Sequence, residues 1–148
     1  MKVYLDNCCF NRPYDDQSHI TISIETQAKI KIQEEIVQGK HDLVSSYVIR
    51  FENSQNPFQN RREATESFLE ENAKEYVGAE RSNQIMNIAK EIMATGIKEY
   101  DALHIACASY ANCDFFITTD RRLLRYISES TPTINPVDFI RLEDKDNE

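Results

Sequence analysis

Two short apolar runs, Val3-Tyr4-Leu5 near the start of the chain and Phe115-Phe116-Ile117-Thr118-Thr119 near its end, each stop at an aspartate, Asp6 and Asp120. Runs this short suit buried strands, and the segments between them carry helical spacing instead of strict alternation. Ile20, Ile24, Ala28, Ile32 and Ile36 recur every fourth position, which predicts one helix over about 18–38 that Gly39 ends. Strands parted by helices require a parallel sheet covered on both faces, because a parallel neighbour is reached only through a crossover. In such a sheet, functional groups gather beyond the carboxyl ends of strands. Asp6 and Asp120 can therefore meet although nearly the whole chain separates them.

The remaining punctuation fills in this frame. Phe10-Asn11-Arg12-Pro13 breaks any regular pattern, and Leu43 onward reads as a second strand passing into a helix at Ser46, a suitable N-cap, with Glu52 further along. Pro57 opens a polar helix expected to run to about residue 76, and Gly78 separates it from a helix over about 80–95. Residues 97–112 read as a tightly packed helix whose polar exceptions are Asp101 and His104. A helix over about 121–128, an extended piece at Thr133-Ile134 and a helical turn led by Pro136 close the chain.

Length and composition, 148 residues with 41% hydrophobic and 28% charged, suit one domain, expected over 1–142, with 143–148 as an acidic frayed tail. No apolar run approaches the roughly 18 residues of a membrane span and no signal pattern opens the chain, so a cytoplasmic protein without a membrane partner is expected. A net charge of -8 excludes a broad positive field for gripping nucleic acid, which leaves only a local site. Cys8, Cys9, Cys107 and Cys113 form no C-x-x-C pair and read as reduced thiols; a zinc site joining His104 and Cys107 to Cys8 or Cys9 would need long-range convergence.

Four acids stand where chemistry can be built: Asp6 and Asp120 at strand ends, Asp101 opening an apolar helix, and Glu52 after the second strand. Each alone has a structural explanation, as a helix cap, a turn, or an ion pair with Arg50. Crowded together they would repel and raise one another's pKa unless a cation neutralised them, and all-oxygen ligation suits Mg²⁺ or Mn²⁺. A dication held so could orient a water for in-line attack on a phosphodiester. Thr118, Arg121 and Arg122 are candidate substrate contacts beside Asp120, and Arg12 is another, with a surface pair to Asp15 or Asp16 as its alternative. His104 is given no catalytic role.

Val3-Tyr4-Leu5-Asp6, Ser45-Ser46 leading to Glu52, Tyr100-Asp101-Ala102-Leu103-His104-Ile105-Ala106, Phe116-Ile117-Thr118-Thr119-Asp120 and Asn135-Pro136-Val137-Asp138-Phe139 occur in that order. This order resembles the PIN-domain family, which includes the VapC-type ribonuclease toxins of toxin-antitoxin pairs. The resemblance implies a three-layer α/β/α sandwich around a mainly parallel sheet. It also implies a Mg²⁺- or Mn²⁺-dependent ribonuclease site of Asp6, Glu52, Asp101 and Asp120, supported by Thr118, with RNA as substrate and an antitoxin protein as partner. Asn7-Cys8-Cys9 follow Asp6 where the toxins commonly carry a small hydroxyl residue, and Arg121-Arg122 follow Asp120 where some relatives offer a further acid or amide. A non-catalytic PIN-like module binding protein or RNA is the alternative expectation, and an apolar helix surface in the N-terminal half leaves room for a homodimer. A phosphotransferase of the haloacid dehalogenase type would need a second aspartate where Cys8 stands.

Overall fold

β1 (Lys2–Leu5) is buried on both faces, with Val3, Tyr4 and Leu5 at 2% exposure or less, which is why its apolar residues run continuously instead of alternating. It forms the middle of a five-stranded sheet in a computed structural model that describes residues 1–128 and 130–146. β2 (Asp42–Ser46) and β3 (Ala73–Val77) lie to one side, β4 (Phe115–Ile117) and β5 (Thr133–Ile134) to the other, in the order β3-β2-β1-β4-β5 with every pair parallel. The connections are helical: α1 (Asn7–Asn11) and α2 (Ile20–Val37) after β1, α3 (Tyr47–Ser54) and α4 (Gln59–Asn72) after β2, α5 (Ser82–Met93) and α6 (Glu99–Tyr110) after β3, then α7 (Arg121–Leu124) and α8 (Pro136–Asp146). This is the α/β/α sandwich expected from the sequence.

The winding direction reverses at β1, since β2 and β3 build outward on one side before the chain returns to place β4 on the other. A crevice opens beyond the carboxyl ends of strands at such a reversal. The β1–β4 register pairs Leu5 with Ile117, so Asp6 and the Thr118–Asp120 loop leave the sheet side by side at that crevice. Tyr4 stacks on Phe116 beneath it, with ring centroids 5.4 Å apart and planes 17° apart. Ala102, Ala106 and Ala108 are fully buried, and their small side chains allow α6 to lie close against Ile85 and Ala89 of α5.

Several elements differ from the sequence reading. Ala73–Val77 is an edge strand, not the end of a polar helix; its outer residues Lys74, Glu75 and Tyr76 are exposed, and Lys2 bridges to Glu75 at 2.8 Å. The segment after Asp6 is a short helix followed by a 3₁₀ turn at Arg12–Tyr14, not an irregular loop. β4 stops at Ile117 and α7 at Leu124, each short of the expected limits of Thr119 and residue 128. Ile20 and Ile24 face solvent at 76% and 46% exposure, because α2 turns Glu25, Lys29, Ile32, Glu35 and Ile36 inward. α8 runs through Asp146, so the expected boundary at 142 falls inside a helix and Glu143 is a buried residue, not part of a frayed tail. Asn147 and Glu148, the last two positions of that expected tail, lie outside the described residues. All four cysteines are free thiols, three of them buried, and no described helix is long and apolar enough to cross a membrane.

Candidate active site

Asp6 is 6% exposed and its carboxylate is held from two directions. Oδ1 caps α1 by accepting the Asn7 N–H at 2.8 Å, while Oδ2 accepts the Thr118 hydroxyl at 2.8 Å and the Cys8 thiol at 3.3 Å. The same Thr118 Oγ1 accepts the Asp120 N–H at 3.0 Å, and Asp120 in turn caps α7 by accepting the Arg122 N–H at 2.8 Å. One hydroxyl thus sets the spacing between the two strand-end acids. Thr118 is fully buried and cannot touch a substrate, which corrects the expectation of a substrate contact; it serves the acids instead.

Glu52 is positioned by a second chain of hydrogen bonds. Ser46 Oγ caps α3 by accepting the Ile49 N–H at 3.1 Å and shares a 2.7 Å bond with the Tyr4 hydroxyl. The Tyr4 hydroxyl meets His104 Nδ1 at 2.8 Å, and His104 Nε2 meets Glu52 Oε2 at 2.7 Å. Burial pulls the His104 pKa down, but the Glu52 bond and the charges of Asp6, Glu52 and Asp101 outweigh it, so the imidazolium is favoured. Burial pushes Glu52 up, while the bond from His104 and the Asn7 side chain bring its carboxyl below the usual value. Arg50, the expected partner of Glu52, bonds Glu66 at 2.6 Å and Glu70 at 2.8 Å on α4.

Asp101, in the first turn of α6, has no ion pair or side-chain hydrogen bond among the described residues. Burial raises its pKa, and the negative charges of Asp6, Asp120 and Glu52 raise it further against the opposing pull of His104. The fold therefore brings all four acids into one electrostatic neighbourhood, and no described Lys or Arg bridges to any of them. Their oxygens are spaced too widely for three to lie within 4.8 Å of one another, a condition met among the described residues only by Glu35, His41 and Glu143 at a different place. Wide spacing fits Mg²⁺ or Mn²⁺, because a hard cation keeps several waters and reaches some carboxylates through them. Asn7 Oδ1, in a pocket that Glu52 also lines, is buried without a partner, and an acceptor with nothing to accept suits a cation or its water. The donor set thus fits a hard dication.

The expected basic contacts are arranged differently. Arg12 is taken by Asp15 at 2.9 Å and Glu25 at 3.1 Å. With Arg121, Thr119, His19 and Asn135 it lines a cleft of about 590 Å³ next to the α7 end of the pocket. Arg121 and Arg122 are exposed, and the recorded bond of Arg122 to the site comes from its backbone. Phe51 and Tyr100, each preceding an acid in sequence, stack with centroids 6.3 Å apart and are both about half exposed. Ser46, Tyr4 and Asn7 were not singled out as site residues from the sequence. Tyr4 reads there as one more apolar strand residue, and only the fold reveals its hydroxyl as a link to His104.

The PIN domain family model matches residues 3–128 of the chain. No curated protein matches its sequence. Among solved structures, the chain is similar to one in VapBC2 from Rickettsia felis bound to a DNA fragment from their promoter, with 14% identity and a TM-score of 0.52, covering 91% of this chain and 98% of that one. At that identity the likeness is one of fold.

Proposed function

The chain belongs to the PIN-domain family, whose members are generally nucleases, and from that premise we propose that it is a Mg²⁺- or Mn²⁺-dependent endoribonuclease hydrolysing phosphodiester bonds at Asp6, Glu52, Asp101 and Asp120. The observation that carries this reading is Asp101, a partly buried carboxylate facing three others with no basic partner. An arrangement of that kind is costly unless a cation completes it. When bound, the dication would supply Lewis acidity and a water of lowered pKa.

The protein's own groups do the rest. Thr118 fixes Asp6 and the backbone of Asp120, and the imidazolium of His104 fixes Glu52 in its ionised form. In this reading Arg121, exposed at the start of α7, contacts a substrate phosphate, and the exposed Phe51–Tyr100 pair stacks an unpaired base. We propose further that a protein partner of antitoxin type silences the enzyme by covering the acids with a basic side chain, that the protein acts in the cytoplasm, and that exposed Ile30 and Val37 on α2 support a homodimer.

A non-catalytic binding module is the competing reading, favoured by the structural duties that Asp6 and Asp120 already perform as helix caps. Incubation of chelator-stripped protein with single-stranded RNA separates the two. The nuclease reading expects cleavage that requires Mn²⁺ or Mg²⁺ and disappears in Asp6→Asn and Asp101→Asn. Absence of both cleavage and a Mn²⁺-dependent thermal shift in the unmutated protein would leave the binding module.

A further inference from the structure

At the amino end of the sheet, opposite the acids, His41 immediately precedes β2 and lies between two carboxylates from different helices. Its Nε2 is 2.8 Å from Glu35 Oε2 on α2 and 3.1 Å from Glu143 Oε2 on α8. All three side chains are buried, at 5%, 4% and 9% exposure, and Phe139 packs edge-on against the imidazole at 5.2 Å. One N–H cannot serve both carboxylates well, and Glu143 Oε1 is buried with no partner at all. Lys40 is exposed and stands 4.0 Å from Glu35.

We propose that Glu35, His41 and Glu143 form a Zn²⁺ site that staples α8 to α2 and the start of β2. The three ligand atoms already lie within 4.8 Å of one another. Ordinary Zn–N and Zn–O distances place tetrahedral ligands roughly 3.3 Å apart, so the 2.8 and 3.1 Å separations of Nε2 from the two oxygens need to open by only a few tenths of an ångström. Zn²⁺ balances the two carboxylate charges, and the free Glu143 Oε1 gains a partner through bidentate contact or a zinc-bound water. His41 Nδ1 faces the Met1 nitrogen at 3.3 Å, so the ring is held from its far side while Nε2 points at the two carboxylates.

The test uses the full chain carrying Asp6→Asn and Asp101→Asn, which silences the other candidate metal pocket, after chelator treatment and titration with ZnCl₂ in a calorimeter. One equivalent should bind, with a melting temperature raised by roughly 5–10 °C at hundredfold excess over Kd. Adding His41→Gln or Glu143→Gln should weaken binding at least about tenfold to a hundredfold. On protein unaltered at these three residues, Co²⁺ in place of Zn²⁺ should shift the His41 ring protons paramagnetically, a readout independent of whether the variants fold. Binding that survives both added substitutions, no stoichiometric binding in the Asp6→Asn/Asp101→Asn protein, or His41 signals untouched by Co²⁺ would each overturn the site. None of these outcomes depends on the nuclease reading.

Discussion

Lys29 is a single-charge counterpart of the acid pocket and gives the sharpest test of the electrostatic reasoning. Its side chain lies in α2 at 7% residue exposure, with no carboxylate bridged to it among the described residues and the Phe10 ring 5.9 Å from Nζ. Burial pulls its ammonium from 10.5 down to about 8, against a small opposing effect of Cys9. Between those two pH values the unfolded chain holds a proton that the folded chain has released, so stability rises with pH across the window. At about 1.4 kcal/mol per pH unit, charging Lys29 in the fold costs about 3 kcal/mol at neutral pH. Lys29→Met keeps the apolar stem and removes the ammonium. It should stabilise the protein by about 2–3 kcal/mol at pH 7 and by only a few tenths near pH 10.5, where Lys29 is neutral in the fold and about half neutral in the unfolded chain. Urea unfolding of both proteins at the two pH values, with unchanged m-values, measures this directly. An equal gain at both pH values, or a loss at pH 7, would refute the claim that uncompensated burial dominates here.

Asp101→Asn should raise the melting temperature of metal-free protein at pH 7 and abolish its Mn²⁺-dependent shift. Because the folded pKa of Asp101 is raised, the unmutated protein loses stability as pH climbs from about 3.8 through that raised value, and differential scanning at pH 3.5 and 7 should find the gain only at the higher pH. His104→Phe should cost about 2–4 kcal/mol near pH 5.5, from one charge-assisted and one neutral hydrogen bond. The raised His104 pKa makes its contribution complete below about 6.5 and lost as pH rises through the folded value; the lowered Glu52 pKa makes its own present above about 4.5 and lost as pH falls through the folded value. Chemical denaturation at pH 5.5 and 8.5 should thus show the larger loss at 5.5. Thr118→Val, which keeps the shape and removes the hydroxyl between Asp6 and Asp120, should lower kcat for RNA cleavage at least about tenfold with KM little changed and cost about 1–2 kcal/mol of stability.

The parts of the fold legible in the sequence are those whose local chemistry has one reading. Val3-Tyr4-Leu5-Asp6 is too short and apolar for anything but a buried strand, Ser46 announces a helix cap, and the alanines of α6 announce close packing. β3 was missed because it is an exposed edge whose Lys74, Glu75 and Tyr76 look like the polar helix before them, and pairing with β2 decides its conformation. The stripe expected for α2 fails in its first half because that helix buries Glu25 and Glu35, which pair with Arg12 and His41 outside the helix, and Lys29, whose charge burial disfavours. Glu143 looks like tail because its partner, His41, stands 102 residues earlier. In the candidate site Asp6 and Asp120 are legible from strand ends and Asp101 from a helix start, whereas Glu52, near the end of α3, is legible only as an acid following the second strand. The groups that hold them, Thr118 as a link and the Tyr4–His104 relay, require the β1–β4 register and the packing of α6 to be known.

An anomalous difference map from crystals grown with Mn²⁺ tests the shared acid pocket most directly. The account predicts a peak bound directly or through waters to Asp6 and Asp101, with Asp120 and Glu52 turned towards it. A map with no peak among these four carboxylates at saturating Mn²⁺, or with their oxygens taken up by basic side chains, would contradict it.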